Sequence, residues 1–385
     1  MCKPPLHVVI VGNPESRRIA LFQDALASVG LPRATIVPYL DLIAGRVRLE
    51  RLIREGSVLR VESPGQDFEV ERAILALGAD VDDEERSSRI SRSAAERLDF
   101  DKGRIWSPRQ WYLGFREVLR LIDRQRAACP PHLTTSPTKA IEVMFDKVAC
   151  HDHLTLAGIA CPRGLGRVRS HDELRRRMTE AGIGRVFVKL AHGSSASGVV
   201  AFAADGRRQL AITTVEAVRD AGELRLYNSR VIRRVDDDGE VAELIDALAR
   251  ERVHVERWVP KAGIDGHAFD LRVVVIAGRP EHIVVRMSRG PITNLHLGNR
   301  RGDRETVQAR MSPVAWRSAM DSCARAAATF PGCLHAGVDL LIAPGFRRHA
   351  VLEVNAFGDL LHGVTSRGLD TYSAEISALL AREAA

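Results

Sequence analysis

Residues 185–203 read RVFVKLAHGSSASGVVAFA, which is a strand pattern, a loop of small residues and a second strand pattern. Lys189 interrupts the first apolar run, and residues 192–198 contain only His, Gly, Ser and Ala. Glycine allows backbone N–H groups to approach a phosphate closely, and serine adds hydroxyl donors. The stretch therefore indicates a phosphate-binding hairpin, with a plain hairpin turn as the alternative. It is not a Walker A loop, because no Gly-Lys-Ser/Thr ends it.

Two apolar strand patterns near the C-terminus carry acidic residues. Asp339 lies in the run GVDLL at 337–341, and Glu353 and Asn355 lie in the run EVN at 353–355. Glu353 and Asn355 share one face of a strand, because they are two residues apart. A buried carboxylate is costly unless it is paired, and a Mg²⁺ ion carrying ATP phosphates removes that cost. The pattern predicts a metal site, and a pair of solvent-facing acids is the alternative.

Arginines occupy a further strand pattern. Arg272 follows Asp270 in the apolar run LRVVVIA, and Arg286 and Arg289 come after the turn at 278–280. Arginine suits a bidentate grip on a carboxylate or a phosphate. We predict that role for Arg272. The alternative is an exposed cation in an arginine-rich chain, and it is strongest for Arg289.

The composition sets the class of protein. The chain has 385 residues, 45% of them apolar and 27% charged, so two or three globular domains are expected. The longest uncharged apolar runs are short, such as HVVIVG at 7–12, so we expect no membrane helix and no cleavable signal peptide. Six cysteines without a CxxC pair indicate reduced thiols in a cytoplasmic protein.

The charge is mildly basic. The net charge is +7, and the basic residues are spread along the chain. This charge favours anions, nucleotides included, but there is no basic-aromatic stripe or known nucleic-acid module, so nucleic acid is not an expected partner. Only six of the 56 basic residues are lysines. A lysine inside a motif, such as Lys189, is therefore more informative than an arginine.

The predicted elements are strand-rich. The chain opens with a strand at 7–12 and a helix that Ser16 could cap, an α/β beginning without a GxGxxG loop. Residues 82–104 are predicted to be an exposed loop or linker. The aromatic cluster 105–112 is either an interdomain plug or a substrate platform. The other predicted elements are helices at 113–126, 139–157, 240–251, 312–329 and 370–384, and strands at 185–190, 199–203, 253–259, 269–277, 281–287, 335–343 and 349–355.

Seven short motifs follow one another along the chain. They are Asp146-Lys147, GIACP at 158–162, Val188-Lys189 with its loop, ERWV at 256–259, Asp270-Leu271-Arg272, GVD at 337–339 and EVN at 353–355. In this order and spacing they resemble the ATP-grasp superfamily, whose members include D-alanine–D-alanine ligase, glutathione synthetase and the RimK-type glutamate ligases. The resemblance covers about residues 140–365. Two of the six lysines fall on the family's nucleotide lysines, which codon bias does not explain.

The resemblance implies an α+β and α/β architecture with the ATP-grasp fold. An N-terminal α/β domain (1–135) would precede a central helix with a small lid subdomain (136–259). A metal-binding, catalytic subdomain (260–385) would follow, and the last two parts would clamp ATP between them. Many relatives self-associate, so a homodimer is a further expectation.

The resemblance also implies which residues bind the nucleotide. The two lysines would contact the ATP phosphates, the loop 192–198 would close over them, and the backbone of 256–259 would bind the adenine edge. No acid corresponds to the family's ribose-binding residue, and Lys261 or Asp265 would take its place. The implied ATP-binding residues are Lys147, Lys189, Ser194, Ser195, Gly198, Glu256, Arg257, Trp258, Val259 and Lys261.

Metal, catalytic and substrate residues follow from the same resemblance. Asp339, Glu353 and Asn355 would hold one or two Mg²⁺ ions, or Mn²⁺. The family's Pro-Gly after the metal-binding asparagine, in a loop that borders the acceptor site in relatives, is replaced here by Ala356-Phe357-Gly358-Asp359, so the resemblance does not indicate the acceptor. The implied catalytic residues are Arg272, Lys189 and Arg286, and the implied substrate residues are Asn294, Arg289, Gly358 and Asp359.

The implied activity is an ATP-dependent carboxylate–amine ligase. It would form an amide or peptide-like bond through an acylphosphate and release ADP and phosphate. Its partners would be small-molecule or peptide carboxylates and amines, with no membrane. Two alternatives stay open: an ATP-grasp kinase that phosphorylates a small molecule or peptide, and a nucleotide-binding protein without catalysis.

Overall fold

The structure, a computed structural model, describes residues 6–83, 87–194, 196–206, 208–220, 222–358 and 360–384. The first apolar run forms β1 (Val8–Gly12), which lies inside a parallel sheet of order β2-β1-β3-β4. Its side chains alternate between two apolar clusters, so the strand is buried on both faces, as in α/β proteins. The other strands of this sheet are β2 (Thr35–Pro38), β3 (Val58–Val61) and β4 (Leu133–Thr134).

Five helices accompany the parallel sheet. Ser16 caps the first of them as predicted, because its hydroxyl accepts a hydrogen bond from the Arg18 backbone N–H. The prediction of a loop over 82–104 is wrong where it contains a short helix, and the helix predicted at 113–126 begins earlier, at Pro108. Proline suits the first turn because it lacks a backbone N–H, and an N–H at that position would have no partner within the helix. The helices are α1 (Arg17–Ser28), α2 (Tyr39–Ile43), α3 (Phe68–Gly78), α4 (Arg92–Glu96) and α5 (Pro108–Ala127).

The single helix predicted over 139–157 is two helices, α6 (Thr138–Phe145) and α7 (Lys147–Leu156). Asp146 between them has an extended backbone, so the prediction that it lies within a helix is wrong. Its side chain accepts hydrogen bonds from the backbone N–H groups of Val148 and Ala149. Aspartate favours this capping position over a helix interior, which explains the break. Lys147 is therefore the first residue of α7.

Residues 185–203 form the inner part of a five-stranded antiparallel sheet, of order β8-β7-β6-β5-β9. Two long strands at its edge were not predicted, because their polar and arginine-rich sequence lacks a continuous apolar run. Helices α8 (His171–Ala181) and α9 (Asp238–Arg250) pack together beside it. The strands are β5 (Arg185–Leu190), β6 (Val199–Asp205), β7 (Arg208–Asp220), β8 (Glu223–Val235) and β9 (Val253–Arg257).

The edge strand β8 has a neighbour from the N-terminal part of the chain. The Ile105 backbone N–H donates to the Leu226 carbonyl at 2.9 Å, and the Asn228 N–H donates to the Gly103 carbonyl at 2.7 Å. Arg104 also stacks over the rings of Trp106 and Tyr227. The segment 103–105 therefore covers part of the β8 edge and ties the small sheet to the N-terminal region.

The C-terminal sheet is antiparallel, of order β13-β12-β11-β14-β15, and a sixth strand, β10, pairs with β11. Its strands at 269–277, 281–287, 335–343 and 349–355 were predicted to within about three residues, because they are apolar runs. Helices α10 (Arg304–Arg310), α11 (Pro313–Ala328) and α12 (Thr371–Ala384) complete this part. The strands are β10 (Gly263–Ile264), β11 (His267–Ile276), β12 (Arg279–Ser288), β13 (Arg300–Gly302), β14 (His335–Ile342) and β15 (His349–Asn355).

Two apolar cores dominate. One runs from Val9 in the parallel sheet to Val354 in the six-stranded sheet, so these two sheets share a core. The other lies inside the five-stranded sheet and its helices. The domain limits at 135 and 259 stay a prediction. Among the described helices none is both long and apolar enough to span a membrane, and the five described cysteines are free thiols.

Candidate active site

The strand register of the six-stranded sheet brings charged side chains to one face. Arg272 on β11 lies opposite Asp339 on β14, and Asp339 lies opposite Glu353 on β15. Residues opposite each other on neighbouring strands share a face, and so do residues two apart on one strand. The row therefore also contains Asp270, Arg286 and Asn355.

The arginines and aspartates of this row form a buried network. Arg272 Nε lies 2.5 Å from one oxygen of Asp339, and an Nη of Arg286 lies 3.2 Å from the other. Arg286 Nε also donates to Asp270 at 2.7 Å. Burial alone would raise the pKa of Asp270, but Arg286 and Lys261 outweigh it and hold that pKa well below its usual range. The network fixes both guanidinium groups at the centre of the sheet.

Lys261 is part of the same network. Its ammonium donates to Asp270 at 2.8 Å, to the Thr293 hydroxyl at 2.7 Å and to the Pro291 carbonyl at 3.2 Å. An ammonium has three hydrogens, and all three are engaged. The structure thus gives Lys261 the role of holding Asp270 and the loop at 291–293, and leaves it no donor for a ribose hydroxyl.

The two lysines of the motifs approach the row from another part of the fold. Lys147, at the start of α7, lies 3.4 Å from a Glu353 oxygen and donates to the Gly193 carbonyl at 2.8 Å. Lys189 on β5 lies 2.5 Å from Glu256 on β9. Burial lowers the pKa of Lys189, but Glu256 and Glu353 act more strongly in the opposite direction and the pKa is raised. Residues far apart in sequence thus meet at Glu353.

The Glu256 side chain has a role beyond the backbone contact to adenine that the resemblance implied. The carboxylate is buried between Lys189 and His254, whose Nε2 lies 3.2 Å away. Burial raises the pKa of Glu256, but the charge of Lys189 and the hydrogen bond from His254 outweigh it and lower the pKa to about 2. Glu256 therefore fixes Lys189 in place. The signal was available, because a carboxylate in the apolar run VHVERWV needs a buried cation.

The backbone after β9 leaves a single amide for the adenine edge. The Arg257 N–H donates to the Arg163 carbonyl, and the Trp258 N–H donates to the Arg185 carbonyl. Of the backbone N–H groups at 257–259, that of Val259 alone has no partner among the described residues. The half-buried Trp258 ring lies 5.5 Å from the Phe187 ring. Of the backbone donors that the resemblance implies for an adenine edge, the structure thus leaves the Val259 N–H.

The small-residue loop lies directly beside Lys147. Gly193 supplies the carbonyl that Lys147 binds, Ser194 is exposed, and Gly198 is buried at the start of β6. The Ala196 carbonyl accepts a hydrogen bond from the Thr214 hydroxyl of β7 at 2.8 Å. Ser195 lies outside the described residues. The loop is therefore held at both ends, and Ser194 points its exposed side chain away from the core.

A buried cluster behind this loop was missed by the sequence analysis. The His192 ring lies 4.1 Å from the Tyr112 ring of α5, and its Nε2 lies 3.3 Å from Asp146. Arg252 also reaches Asp146, at 2.9 Å. Burial lowers the pKa of His192 to about 4, although Asp146 acts in the opposite direction. Asp146 thus ties together the start of α7, the start of the loop and the end of α9.

Three of the four residues implied to contact substrate lie in the described part of the chain. Asn294 caps a 3₁₀ turn (Leu295–Leu297), because its side-chain oxygen accepts from the His296 N–H at 2.9 Å. Arg289 is exposed. Gly358 packs against Gly337 so closely that a Cβ on Gly358 would lie 2.5 Å from the Gly337 Cα. The same Cβ would lie 3.2 Å from an Arg272 nitrogen, which places this loop beside the network. Asp359 lies outside the described residues.

Two carboxylates and an amide suit a hard cation. Asp339 and Glu353 face each other across β14 and β15, and Asn355 donates to Glu353 at 3.2 Å. Mg²⁺ is commonly bound by one or two carboxylates together with phosphate oxygens and water. In the described part of the chain, no three His, Cys, Asp or Glu side chains lie together so that they could hold a metal ion by themselves. The residues fit a cation that is shared with a phosphate.

No protein-family model matches this chain, and no curated protein matches it in sequence. Solved structures do match over nearly the whole chain. D-cycloserine synthetase DcsG has a TM-score of 0.54 at 13% identity, with 97% of this chain and 99% of that chain covered. The ATP-grasp ligase PsnB, complexed with a minimal precursor, has a TM-score of 0.53 at 15% identity, with 98% and 99% covered. This chain has the ATP-grasp fold.

A further ATP-grasp neighbour is the macrocyclase MdnC bound with precursor peptide MdnA from Microcystis aeruginosa MRC. Its TM-score is 0.51 at 12% identity, with 98% of this chain and 100% of that chain covered. At these identities the likeness is one of fold. The predicted ATP-grasp fold and the mixture of α/β and α+β parts are confirmed, and they extend over the N-terminal region that the sequence motifs did not reach.

Proposed function

We propose that this protein is an ATP-dependent carboxylate–amine ligase that forms an amide or peptide-like bond and releases ADP and phosphate. The observation that carries the proposal is that Lys147 lies 3.4 Å from Glu353 in the Asp339–Glu353–Asn355 row, and that the charge of Lys189 also acts on this carboxylate. Cations for a phosphate chain and oxygen ligands for its metal ion then lie side by side. The ATP-grasp neighbours PsnB and DcsG, named as a ligase and a synthetase, give further support.

ATP binds between the five-stranded and six-stranded sheets in this proposal. Lys147 and Lys189 neutralise its phosphates, and the loop 192–198 covers them. Adenine lies against Trp258 and Phe187, with the Val259 N–H as a donor. The PsnB structures complexed with AMPPNP, and with Mg and ADP, support a nucleotide and a metal ion as co-substrate and cofactor. The boundaries of the lid subdomain (136–259) and the catalytic subdomain (260–385) are part of the proposal.

Asp339, Glu353 and Asn355 would hold one or two Mg²⁺ ions, or Mn²⁺. Such an ion would neutralise charge on the transferring phosphoryl group. The low pKa of Glu353 keeps its carboxylate ionised for this purpose; burial acts to raise that pKa, and Lys147, Lys189 and Arg272 outweigh it. Arg272 shares Asp339, so its guanidinium lies beside the same oxygens.

The reaction proceeds in two displacements. A substrate carboxylate oxygen attacks the γ-phosphorus of ATP, and the bond between this phosphorus and the β–γ bridging oxygen breaks. The products of this step are an acylphosphate and ADP. An amine then attacks the acyl carbon, phosphate leaves, and the amine loses one proton. Arg272 and Arg286 hold the carboxylate and stabilise the developing charge, so the chain contributes mainly positioning and electrostatics. Water has to be excluded, because an acylphosphate hydrolyses.

The test uses hydroxylamine as a small amine that traps an acylphosphate. Purified protein is incubated with ATP, Mg²⁺, hydroxylamine and a panel of carboxylates and peptides, and ADP and hydroxamate are measured together. We expect equal amounts of ADP and hydroxamate for at least one carboxylate. Glu353→Gln should reduce both by about a hundredfold or more. Glu180→Gln, an exposed acid on α8, is the control and should change neither.

Other products would overturn the proposal. ADP with a stable phosphorylated product and no hydroxamate would indicate a kinase instead. Nucleotide binding without ADP release from any carboxylate would indicate a binding protein. The precursor peptides in the PsnB and MdnC structures are the reason to include peptides in the panel.

A further inference from the structure

Charge is distributed unevenly across the site face of the six-stranded sheet. The β14–β15 side carries Asp339 and Glu353, whereas the β12–β13 side carries Arg286 with Arg301 opposite it. Arg301 lies on the same face as Arg286, because the two are paired across the strands. The face thus changes from acidic at one edge to basic at the other.

The segment that crosses the basic edge contains no acid at all. Residues 286–302 include four arginines and neither Asp nor Glu. Two of them, Arg289 and Arg301, are exposed and form no ion pair with any described residue. The segment is ordered by its own contacts, because the Asn299 side chain donates to the carbonyls of Ile292 and Asn294 at 2.8 and 2.9 Å. The positive charges are therefore held in place without internal neutralisation.

Arginines from strand β8 and from helix α1 act on the same segment. Strand β8 of the five-stranded sheet contacts the 3₁₀ turn Leu295–Leu297, and Arg230 on β8 is exposed, without an acidic partner in the described ranges. The pKa of His296 in that turn is lowered, first by burial and then by the positive charge of nearby arginines. The charges that act on His296 belong to Arg272, Arg230, Arg18 and Arg286.

This convergence exceeds what one carboxylate requires. Arg272 and Arg286 are sufficient to grip a single carboxylate, and they already share Asp339. Arg301 lies beyond them on β13, on the side of the sheet away from Glu353, and Arg230 and Arg289 form no ion pair with any described residue. A cleft lined by one sign of charge concentrates ligands of the opposite sign.

We propose that the carboxylate substrate is polyanionic. The reacting carboxylate lies against Arg272 and Arg286, and a second carboxylate of the same molecule is held by Arg230 and Arg301. The substrate is then either a free di- or tricarboxylate or an acidic peptide. This inference rests on the proposed ligase function, since it names the substrate class of the same site.

The test compares matched carboxylates in the hydroxylamine assay. Glutarate is compared with butyrate, and the peptide acetyl-Glu-Glu-Glu-amide with acetyl-Gln-Glu-Gln-amide, so that the small-molecule and peptide sources are distinguished. We expect the polyanionic member of at least one pair to have a kcat/KM about tenfold higher or more, and this advantage to shrink with added salt. Equal kcat/KM within both pairs would overturn the inference.

Arg230→Gln is the informative variant. We expect it to raise the KM for the polyanionic substrate about tenfold, and to leave the KM for ATP and the kinetics of the monocarboxylate unchanged. Arg208→Gln removes the same charge from an exposed position at the start of β7 and should change none of these values. An equal effect of both variants, or an effect of Arg230→Gln on the monocarboxylate as well, would contradict the inference.

A binding measurement separates failure of the inference from failure of the proposed function. Calorimetric titration of the two peptides into protein that holds AMPPNP and Mg²⁺ requires no turnover. Binding of the Glu-Glu-Glu peptide that Arg230→Gln weakens would support the polyanion site even without ligase activity. Equal affinity for the two peptides, or no binding of either, would overturn it.

Discussion

The Lys189–Glu256 pair illustrates how one residue contributes to both folding and chemistry. Both side chains are largely withdrawn from solvent, and each keeps the other ionised. Removing one member leaves an unpaired buried charge, which costs about 3 kcal/mol or more, whereas removing both can be nearly neutral. Comparing the single and double variants of this pair therefore separates the contribution of Lys189 to stability from its proposed role at the ATP phosphates.

We expect Lys189→Met to abolish ADP release and to lower the thermal unfolding temperature. In the double variant Lys189→Met with Glu256→Gln, most of the stability should return while ADP release stays absent. Thermal unfolding and ADP release, measured on the same preparations, test this. Recovery of ADP release in the double variant would mean that Lys189 acts only by neutralising Glu256. Lys102→Met, at an exposed lysine, is the control and should change neither quantity.

His192 makes stability depend on pH. Its pKa is about 4 in the folded protein against 6.5 for an ordinary histidine. Between these two pH values the unfolded chain binds a proton at His192 and the folded protein does not. Stability should therefore fall as the pH falls from 6.5 towards 4, by roughly 3 kcal/mol in total for this group. Below the folded-state pKa this contribution no longer changes.

The variant His192→Phe keeps a ring against Tyr112 but cannot take up a proton. We expect a lower unfolding free energy at pH 7, since Asp146 loses a hydrogen bond, and a smaller decrease between pH 6.5 and 4 than in the wild type. Denaturant titrations across this range measure both quantities. If the two proteins lose stability in parallel, His192 is not the group responsible.

At the scale of elements, helices α3 and α5 cross unusually closely. A Cβ on Gly114 would lie 1.8 Å from the Ile74 carbonyl oxygen, and one on Gly78 would lie 2.0 Å from the Gln110 carbonyl oxygen. Each glycine therefore lies against the backbone of the other helix. The crossing fixes α5, which carries Tyr112 to the His192 cluster.

We predict that Gly114→Ala lowers the unfolding free energy by about 1–3 kcal/mol, because the two helices have to move apart. Gly239→Ala, at an exposed position early in α9, serves as the control and should be neutral or slightly stabilising. Urea denaturation of both variants tests the prediction. A wild-type midpoint for Gly114→Ala would contradict the close crossing.

The elements that the sequence predicted are those with a strong local signal. Apolar runs such as 335–343 identified the strands of the six-stranded sheet, and the motifs on them identified the residues that converge. The break at Asp146 and the hairpin β7–β8 were missed, since a side-chain cap and a polar strand leave no apolar periodicity. The His192–Tyr112 contact joins residues 80 positions apart, so no local pattern could indicate it.

At the scale of the whole molecule, the site is assembled from three sheets that depend on one another. The parallel and six-stranded sheets share a core, and Asp146 connects the five-stranded sheet to α7. The aromatic cluster 105–112, for which plug and platform were both open, packs between these parts: Ile105 pairs with β8 and Tyr112 stacks on His192. These contacts favour the interpretation of the cluster 105–112 as an interdomain plug.

The pairing of 103–105 with β8 has a consequence for how much of the chain can stand alone. The sequence motifs occupy only about residues 140–365, which suggests that the remainder could be cut away. A fragment that starts at 136 would lose the neighbour of β8 and about a third of the shared core, and a bare sheet edge recruits other chains. We expect this fragment to elute as soluble aggregates in size-exclusion chromatography, whereas the intact chain stays dispersed. A monodisperse, cooperatively melting fragment would show instead that the rest of the chain folds without the first 135 residues.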